Sequence, residues 1–333
     1  MKLSVVIVNY KTAGLVVDCL RSIYQFDASQ IEIIVVDNFS LDNLERILKA
    51  DFPDVKFVQM GYNSGFARAN NAGIRIAEGD AVLLLNSDTI NLDNAIANCY
   101  SEFMKSDYAA CGVQLLNEDR SPQISGNNLM KGGLNFLLPL PYLGIMLKNV
   151  AGLMKVKRPS IAETSSTIEV DWVNGAYLMV KKSAIEKAGL MDEDFFLYSE
   201  ETEWCSRIKK QGRICIFGKY NVVHLQGESS KSAFESTGKG YFNLFDRKGL
   251  QMMVSSFLRT RKELGLGWYF IHLCFYLLTI PVFAVGLFFS SIFFKNKTAY
   301  NYAQLKGFVA NVATLLSLSG KMIKNKPYFY KML

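Results

Sequence analysis

Short runs of β-branched and other apolar residues alternate along the first part of the chain with segments whose apolar positions recur every three to four residues. Leu3–Asn9 is the first run, of the kind found in strands buried on both faces. In the segment that follows, Leu15, Val16, Cys19, Leu20 and Ile23 share one helical face, and Thr12 stands where a helix cap is expected. Ile31–Asp37, Val55–Met60 and Ala81–Leu85 repeat the strand pattern, and the last of these ends at Asn86-Ser87-Asp88. Asn63 to Ala77 reads as a loop leading into a helix. A helix over 92–105 and a strand near 108–115 follow. Strands and helices alternating at this spacing predict an α/β sandwich with a mainly parallel central sheet. Ligands of such sheets bind at the carboxyl ends of the strands, where Asn9, Asp37 and Asp88 all lie.

The pattern changes over 118–165. Gly, Pro, Asn and Ser recur there, which predicts a long excursion with little regular structure, expected on the side where a second substrate, the acceptor, would enter. Ile168–Val173 returns to a strand, and Trp172-Val173-Asn174-Gly175-Ala176 turns into another apolar run. Glu200–Gln211 has helical periodicity with Gly212 at its carboxyl end, and 213–217 and Asn221–Leu225 complete the globular part, which is expected to span 1–230. The rest, 231–333, is expected to be helical and membrane-associated. Trp268–Phe294 carries no charged side chain and is long enough to cross a bilayer once. Pro281 lies at its midpoint, and Arg259, Arg261 and Lys262 precede it while Lys295 and Lys297 follow. Basic flanks on both sides favour a re-entrant hairpin or an interfacial helix pair broken at Pro281.

Composition sharpens this in three ways. The chain has 333 residues, half of them apolar, and 20% charged, which excludes a disordered protein. The net charge is +7, with many Lys and Arg in the carboxyl-terminal part, which suits an anionic lipid surface or phosphate groups. No zinc-finger spacing, RNP pattern or basic heptad helix points to nucleic acid. The six cysteines include no CxxC pair, so neither a disulfide framework nor a zinc site is expected. The amino-terminal apolar run is too short for a signal peptide, and the catalytic part is expected in a reducing cytoplasm.

Asp88, at the mouth of an α/β crevice, is placed to hold Mg²⁺ or Mn²⁺, or else to cap the next helix. Asp37 could accept the imide N–H of uracil or thymine, or simply form a turn with Asn38. His224 ends an apolar run and, near Asp88, would make a second metal ligand. Glu200, Glu201 and Glu203 open a helix, where the macrodipole favours them, and follow the aromatic run Phe195-Phe196-Leu197-Tyr198. A carboxylate beside such a wall suits a sugar-binding face and a general base. Glycine-rich dinucleotide and P-loop signatures and the GxSxG elbow are missing, which disfavours dehydrogenases, P-loop NTPases and α/β-hydrolases.

The ordered set Ser4–Tyr10, Val35–Asn38, Asn63–Gly73, Asn86–Asp88, Trp172–Ala176 and Phe195–Trp204, with His224 after it, resembles family 2 glycosyltransferases of the GT-A fold, in particular bacterial rhamnosyltransferase-like enzymes of surface polysaccharide assembly. The resemblance covers residues 2–230. It implies that Val8, Asn9, Tyr10, Asp37, Asn63, Gly65, Arg68, Asn71, Asn86 and Asp88 line the donor site, with Arg68 near the diphosphate. It implies Asp88 and His224 as metal ligands, Glu201 as general base with Glu200 beside it, and Trp172, Asn174, Gly175, Tyr198 and Glu203 on the acceptor side. Two departures stand out: the family's DxD is Asn86-Ser87-Asp88, and its Glu-Asp pair is Glu200-Glu201.

The expected activity is inverting, metal-dependent transfer from a dTDP- or UDP-sugar, rhamnose first, to a lipid-linked oligosaccharide at the cytoplasmic face of a bacterial inner membrane. Homo-oligomerisation is left open. A UDP-hexose or UDP-N-acetylhexosamine transferase, a nucleotidyltransferase and a non-catalytic sugar-nucleotide-binding membrane protein are the alternatives. A nucleotidyltransferase would favour a Gly-rich basic loop after the first strand, where this chain offers only Lys11; a pure binder would not need Glu200 and Glu201.

Overall fold

A computed structural model of the chain describes residues 2–153, 160–225, 243–293 and 300–332. The expected domain boundary at 230/231 and the basic flank Lys295 and Lys297 lie outside the described residues. The chain forms two compact units: Met1–Asn128, Ser160–Phe196 and Glu200–Ala233 make the first, and Leu129–Pro159, Leu197–Ser199 and Phe234–Leu333 the second.

The first unit is built on β1 (Leu3–Asn9), α1 (Ala13–Tyr24), β2 (Ile31–Asp37), α2 (Leu44–Asp51), β3 (Lys56–Gln59), α3 (Gly65–Ile76), β4 (Ala81–Asn86), β5 (Thr89–Asn91), α4 (Ala95–Lys105) and β6 (Ala110–Leu116). Strands β3-β2-β1-β4 run parallel in that order, so the chain leaves β1 to one side and later returns to its other side. That reversal opens the crevice in which α/β sheets bind ligands.

Side chains alternate across the sheet, as the strand pleat requires. Val5, Ile7, Val35, Leu83 and Leu85 pack under α1 and α4 with Val16, Leu20, Ile96 and Phe103. Val6, Ile34, Val36, Val82 and Leu84 face the other way, onto Ala67, Ala69 and Ile74 of α3. This explains why each strand reads as an unbroken apolar run.

Short strands β7 (Gly126–Asn127), β8 (Ser160–Ile161), β9 (Thr167–Val170) and β10 (Trp172–Val173) were merged or unseen in the sequence pattern. β7, β8 and β10 form a small separate sheet. Strand β11 (Tyr177–Lys181) runs antiparallel between β4 and β6. Helix α6 (Lys182–Ala188) and helix α7 (Glu200–Ile208) pack on the second face through Ile185, Trp204, Cys205 and Ile208. The two segments expected at 213–217 and 221–225 are one strand, β12 (Ile214–His224), with a bulge between Phe217 and Asn221 that masked its continuity.

At the amino-terminal edge of the sheet, away from the crevice, buried Glu32 accepts from Ser4 Oγ, from the Glu78 N–H (2.9 Å) and from Lys56 Nζ (2.5 Å). Burial alone would raise its pKa. The hydrogen bonds from Lys56, Ser4 and Glu78 and the Lys56 charge outweigh it and hold the carboxyl at about 2. A depressed folded-state pKa gives stability that is complete above the unfolded value of 4.5 and is lost as pH falls toward 2. Urea denaturation across that window should show a loss of at most about 3 kcal/mol from this group, since Lys56 is partly solvated. In E32Q the same window should flatten.

The second unit corrects two expectations. The excursion contains a 3₁₀ segment, Lys131–Leu137, and α5 (Leu143–Leu153), because its apolar residues recur at helical spacing between the Pro and Gly turns. Beyond it lie α8 (Arg247–Arg259), a wide turn at Thr260–Leu264, α9 (Gly265–Phe293) and α10 (Tyr302–Lys324). Helix α9 is not broken at Pro281 but runs through it. Proline there removes one N–H from the ladder and crowds the carbonyl four residues back, which the rest of this long helix absorbs. Pro281 is exposed, as is Leu277, whose carbonyl loses that partner.

Helices α9 and α10 are antiparallel. Tyr269 OH donates to Ser319 Oγ (2.7 Å) near one end, and Phe283 meets Phe308 toward the other.

Candidate active site

The crevice rim begins at the carboxyl ends of β1, β2 and β4. Asn9 is paired in register with Asp37, and Val8 with Asn86. Asn9 is fully buried and its Nδ2 faces Asp37 Oδ1 (2.8 Å), Ser40 Oγ (2.9 Å) and Asp42 Oδ2 (3.0 Å). Its Oδ1 accepts from the N–H and Oγ1 of Thr12, both at 3.0 Å. Thr12 therefore does not cap α1 with its side chain; its hydroxyl lies 3.1 Å from Ser87 Oγ instead and ties β1 to the end of β4. Asp37 also accepts from Gln59 Nε2 (2.8 Å) and the Ser40 N–H (3.1 Å), so the turn reading of this carboxylate holds whatever else it touches. Lys11, Phe39 and Leu41, just past β1 and β2, take left-handed backbone with φ of 58°, 66° and 57°. Such conformations cost on the order of 1 kcal/mol each in non-glycine residues and recur at functional loops.

Asp88 follows β4 and precedes β5. It caps no helix. Both carboxylate oxygens are buried without a hydrogen-bond partner among the described residues. β5 pairs with the end of β12, setting His224 opposite Thr89, and the Leu225 N–H holds the Asp88 carbonyl at 2.9 Å. His224 Nε2 thereby comes 3.4 Å from Asp88 Oδ1 and 3.3 Å from Asn86 Nδ2. The other ring nitrogen, Nδ1, lies 3.0 Å from Gln123 Oε1. An unpartnered buried carboxylate costs several kcal/mol. Beside an imidazole nitrogen, it fits a divalent cation that would share its remaining positions with donor oxygens. The described residues contain no cluster of three or more His, Cys, Asp or Glu, so any such ion would take at most two protein ligands of these types here.

The other motifs meet on the same rim. Gly65 has φ +76°, and a β-carbon on it would fall 2.2 Å from the Phe196 carbonyl, which accepts from the Phe66 N–H at 2.8 Å. Only glycine permits that approach. Asn38 fastens the loop before α3, accepting from Ser64 N (2.8 Å) and Oγ (2.7 Å) and donating to Asn63 Oδ1 (3.2 Å). The Asn86 N–H donates to Ala176 O (3.1 Å), which brings Gly175 beside the end of β4. A β-carbon on Gly175 would lie 3.6 Å from Cβ and Cγ of Glu201. The chain of neighbours from Asp88 to Glu201 thus runs through Asn86, its backbone partner Ala176, and Gly175, which abuts the Glu201 side chain. Asn174 shapes this turn: its Oδ1 accepts from the Ala176 N–H (3.0 Å) and its Nδ2 donates to Ile124 O (3.3 Å). Glu201 is half-buried, whereas Glu200 is 2% exposed, so Glu201 is the more accessible of the two. Tyr198 and Ser199, immediately before α7, are both left-handed, with φ of 72° and 68°. Trp172 keeps a buried ring N–H without a partner among the described residues, and Val8 and Tyr10 are half-buried at the end of β1.

Three expected residues make internal contacts. Both Glu203 oxygens accept from Arg207, at 2.7 Å each, and this pair braces α7. Asn71 is fully buried and clamps Met191 through its N–H (3.0 Å) and carbonyl (2.9 Å). Its Nδ2 also lies 3.1 Å from Glu193 Oε1. Arg68 spends its Nε on the Glu193 carbonyl (3.0 Å) and points Nη1 at Tyr62 OH (3.4 Å). Sequence reading missed Gln123, Ser87 and Ser40, which lie outside any alternating pattern. Their signal is pairing across the chain, which one sequence does not show.

The family model "Glycosyl transferase family 2" matches residues 4–150. The low-salt glycan biosynthesis hexosyltransferase of Haloferax volcanii is 26% identical over 251 residues, covering 74% of each chain. The dTDP-rhamnosyl transferase of Shigella flexneri is 25% identical over 202 residues, covering 60% of this chain and 61% of that one. A solved mannosyltransferase from Pyrobaculum calidifontis, in complex with GDP-Man and Mn²⁺, superposes with a TM-score of 0.54 at 16% identity over 98% of this chain and 88% of its own, a likeness of fold. Residues 4–150 therefore form a glycosyl transferase family 2 domain, and the fold is that of GT-A glycosyltransferases.

Proposed function

We propose that the chain transfers a sugar, with inversion, from a nucleoside-diphosphate donor to a hydroxyl of a lipid-linked oligosaccharide of a surface polysaccharide. The observation that carries this reading is the unpartnered Asp88 carboxylate beside His224, on the same rim as Glu201. In this reading Asp88 and His224 would hold Mg²⁺ or Mn²⁺. When bound, the ion supplies positive charge to the departing diphosphate. Glu201, at the start of α7, receives the proton of the acceptor hydroxyl as its oxygen attacks the anomeric carbon. Gly175 leaves room for the sugar because it presents no side chain to Glu201. Rhamnose from dTDP-rhamnose is the first donor, supported by the name of the Shigella relative. A UDP-hexose is the second, supported by the Haloferax hexosyltransferase. NMR of the product should show the anomeric configuration opposite to the donor's, and retention would overturn the single-displacement mechanism.

The second unit supports work at the cytoplasmic membrane surface. Helix α9 is apolar on both sides. Its buried side carries Phe283 and Leu287 with Tyr269, His272, Tyr276 and Thr279, and its exposed side Phe270, Leu278, Val285, Phe288, Phe289 and Ile292. So large an exposed apolar face marks an interaction surface. Arg247–Ile292 is also the one described helical run long and apolar enough to cross a membrane. Arg261 and Lys262 precede α9, Lys321 and Lys324 close α10, and Lys295 and Lys297 follow α9 in sequence. Basic groups at both ends of the helix pair suit helices lying in the interface of an anionic bilayer better than spanning it. F288D/F289D should abolish co-sedimentation with phosphatidylglycerol vesicles while the circular dichroism spectrum stays that of the parent. Undiminished binding by a folded variant would contradict an interfacial α9.

A further inference from the structure

Gln123 lies in the segment after β6, where its N–H donates to Leu115 O (2.8 Å), and it is 6% exposed. Its side chain reaches across to the end of β12. Nε2 donates to the His224 carbonyl (2.5 Å) and faces the Leu116 carbonyl (3.4 Å). Both neighbours are carbonyl oxygens, which only accept, so the amide has one orientation: nitrogen toward the carbonyls, oxygen toward the imidazole. That oxygen carries no hydrogen. The 3.0 Å contact with His224 Nδ1 is therefore a hydrogen bond donated by the ring. A neutral imidazole protonated at Nδ1 has its lone pair on Nε2. Nε2 is the atom 3.4 Å from the unpartnered Asp88 carboxylate and 3.3 Å from the Asn86 amide nitrogen.

We infer that Gln123 is a positioning residue: it fixes His224 in the Nδ1–H tautomer and holds the ring plane so that the Nε2 lone pair is presented beside Asp88 to a divalent cation. The inference rests on the metal reading of Asp88 and His224 and deepens it. The two-point grip, one bond to the ring and one to the same residue's backbone, removes both rotation of the ring and the competing tautomer. Among the described residues, the hydrogen bond at Nδ1 is the one to Gln123. A ligating imidazole generally needs such a partner on its second nitrogen, and losing it lowers metal affinity by about 10–100-fold.

Two measurements test this, neither of them turnover. In the metal-free protein, ¹⁵N-histidine NMR at mildly alkaline pH reports the tautomer directly. The chain has two histidines, and H224N assigns the signals by removing one set. Nδ1 of His224 should appear as the protonated, pyrrole-type nitrogen and Nε2 as the pyridine-type one. The opposite assignment, or an equal mixture, overturns the inference with no substitution of Gln123 needed. The second measurement is Mn²⁺ binding, read from the EPR signal of the free ion in the presence of a nucleoside diphosphate. Q123L should weaken binding by about 10–100-fold. Q123E, which restores an acceptor for Nδ1–H, should recover part of that loss. Equal binding by folded wild type and Q123L overturns the role of Gln123. Binding by wild type that D88N and H224N leave unchanged overturns the metal reading instead, so the two failures are distinguishable.

Discussion

E201Q is expected to lose turnover by about 10²–10⁴-fold, the range that a positioned general base contributes, while donor affinity should stay within a factor of about two. Gln is isosteric with Glu but accepts no proton at neutral pH. Glu201 is half-buried against Gly175, so the amide fits the same space and the fold is unaffected. In the proposed mechanism the effect belongs in kcat and not in KM, because the carboxylate would act on the acceptor's proton as the bond forms. E200Q tests the departure of this chain from the Glu-Asp pattern. Glu200 is 2% exposed, so its substitution is expected to change stability and to leave most of kcat. A variant pair with the opposite ranking would move the base to Glu200. Steady-state release of nucleoside diphosphate in the presence of acceptor measures both.

D88N separates function from stability in the opposite sense. The buried carboxylate has no hydrogen-bond partner among the described residues, and its nearest basic group is His224 Nε2 at 3.4 Å. Neutralising it should leave the melting temperature of the metal-free protein unchanged or raise it. Turnover should fall by about 10²–10³-fold, the scale on which removal of one charge-stabilising group acts, and Mn²⁺ should no longer raise the melting temperature in the presence of a nucleoside diphosphate. Differential scanning fluorimetry with and without Mn²⁺ reads both effects. A destabilised D88N whose melting temperature still rises with Mn²⁺ would make Asp88 a structural residue and not a ligand.

The sheet and the placement of Asn9, Asp37 and Asp88 at its carboxyl edge were legible because strands buried on two faces leave a dense apolar signal. The reversal of strand order around β1 then puts their ends together. The glycine at 65 was legible as part of a motif, but its reason, a backbone approach to Phe196, exists only in three dimensions. Asn71 and Glu203 read as ligand contacts because polar residues in a motif look alike in sequence. Their internal partners, Met191 and Arg207, are visible only in three dimensions. Pro281 read as a break because proline removes a helix hydrogen bond, yet a long helix with an intact ladder on either side absorbs that single loss. Gln123 was invisible: nothing at position 123 hints that His224 lies across the fold from it.

The most direct test of the whole account is donor hydrolysis by the purified chain. Incubation with a panel of dTDP- and UDP-sugars, with and without Mn²⁺, is followed by assay of released nucleoside diphosphate. The account predicts slow release from one donor, abolished by EDTA, restored by Mn²⁺ and lost in D88N. Release that survives both EDTA and D88N would contradict a metal-dependent site at Asp88 and His224, and absence of both release and donor binding across the panel would contradict the choice of dTDP- and UDP-sugars as donors.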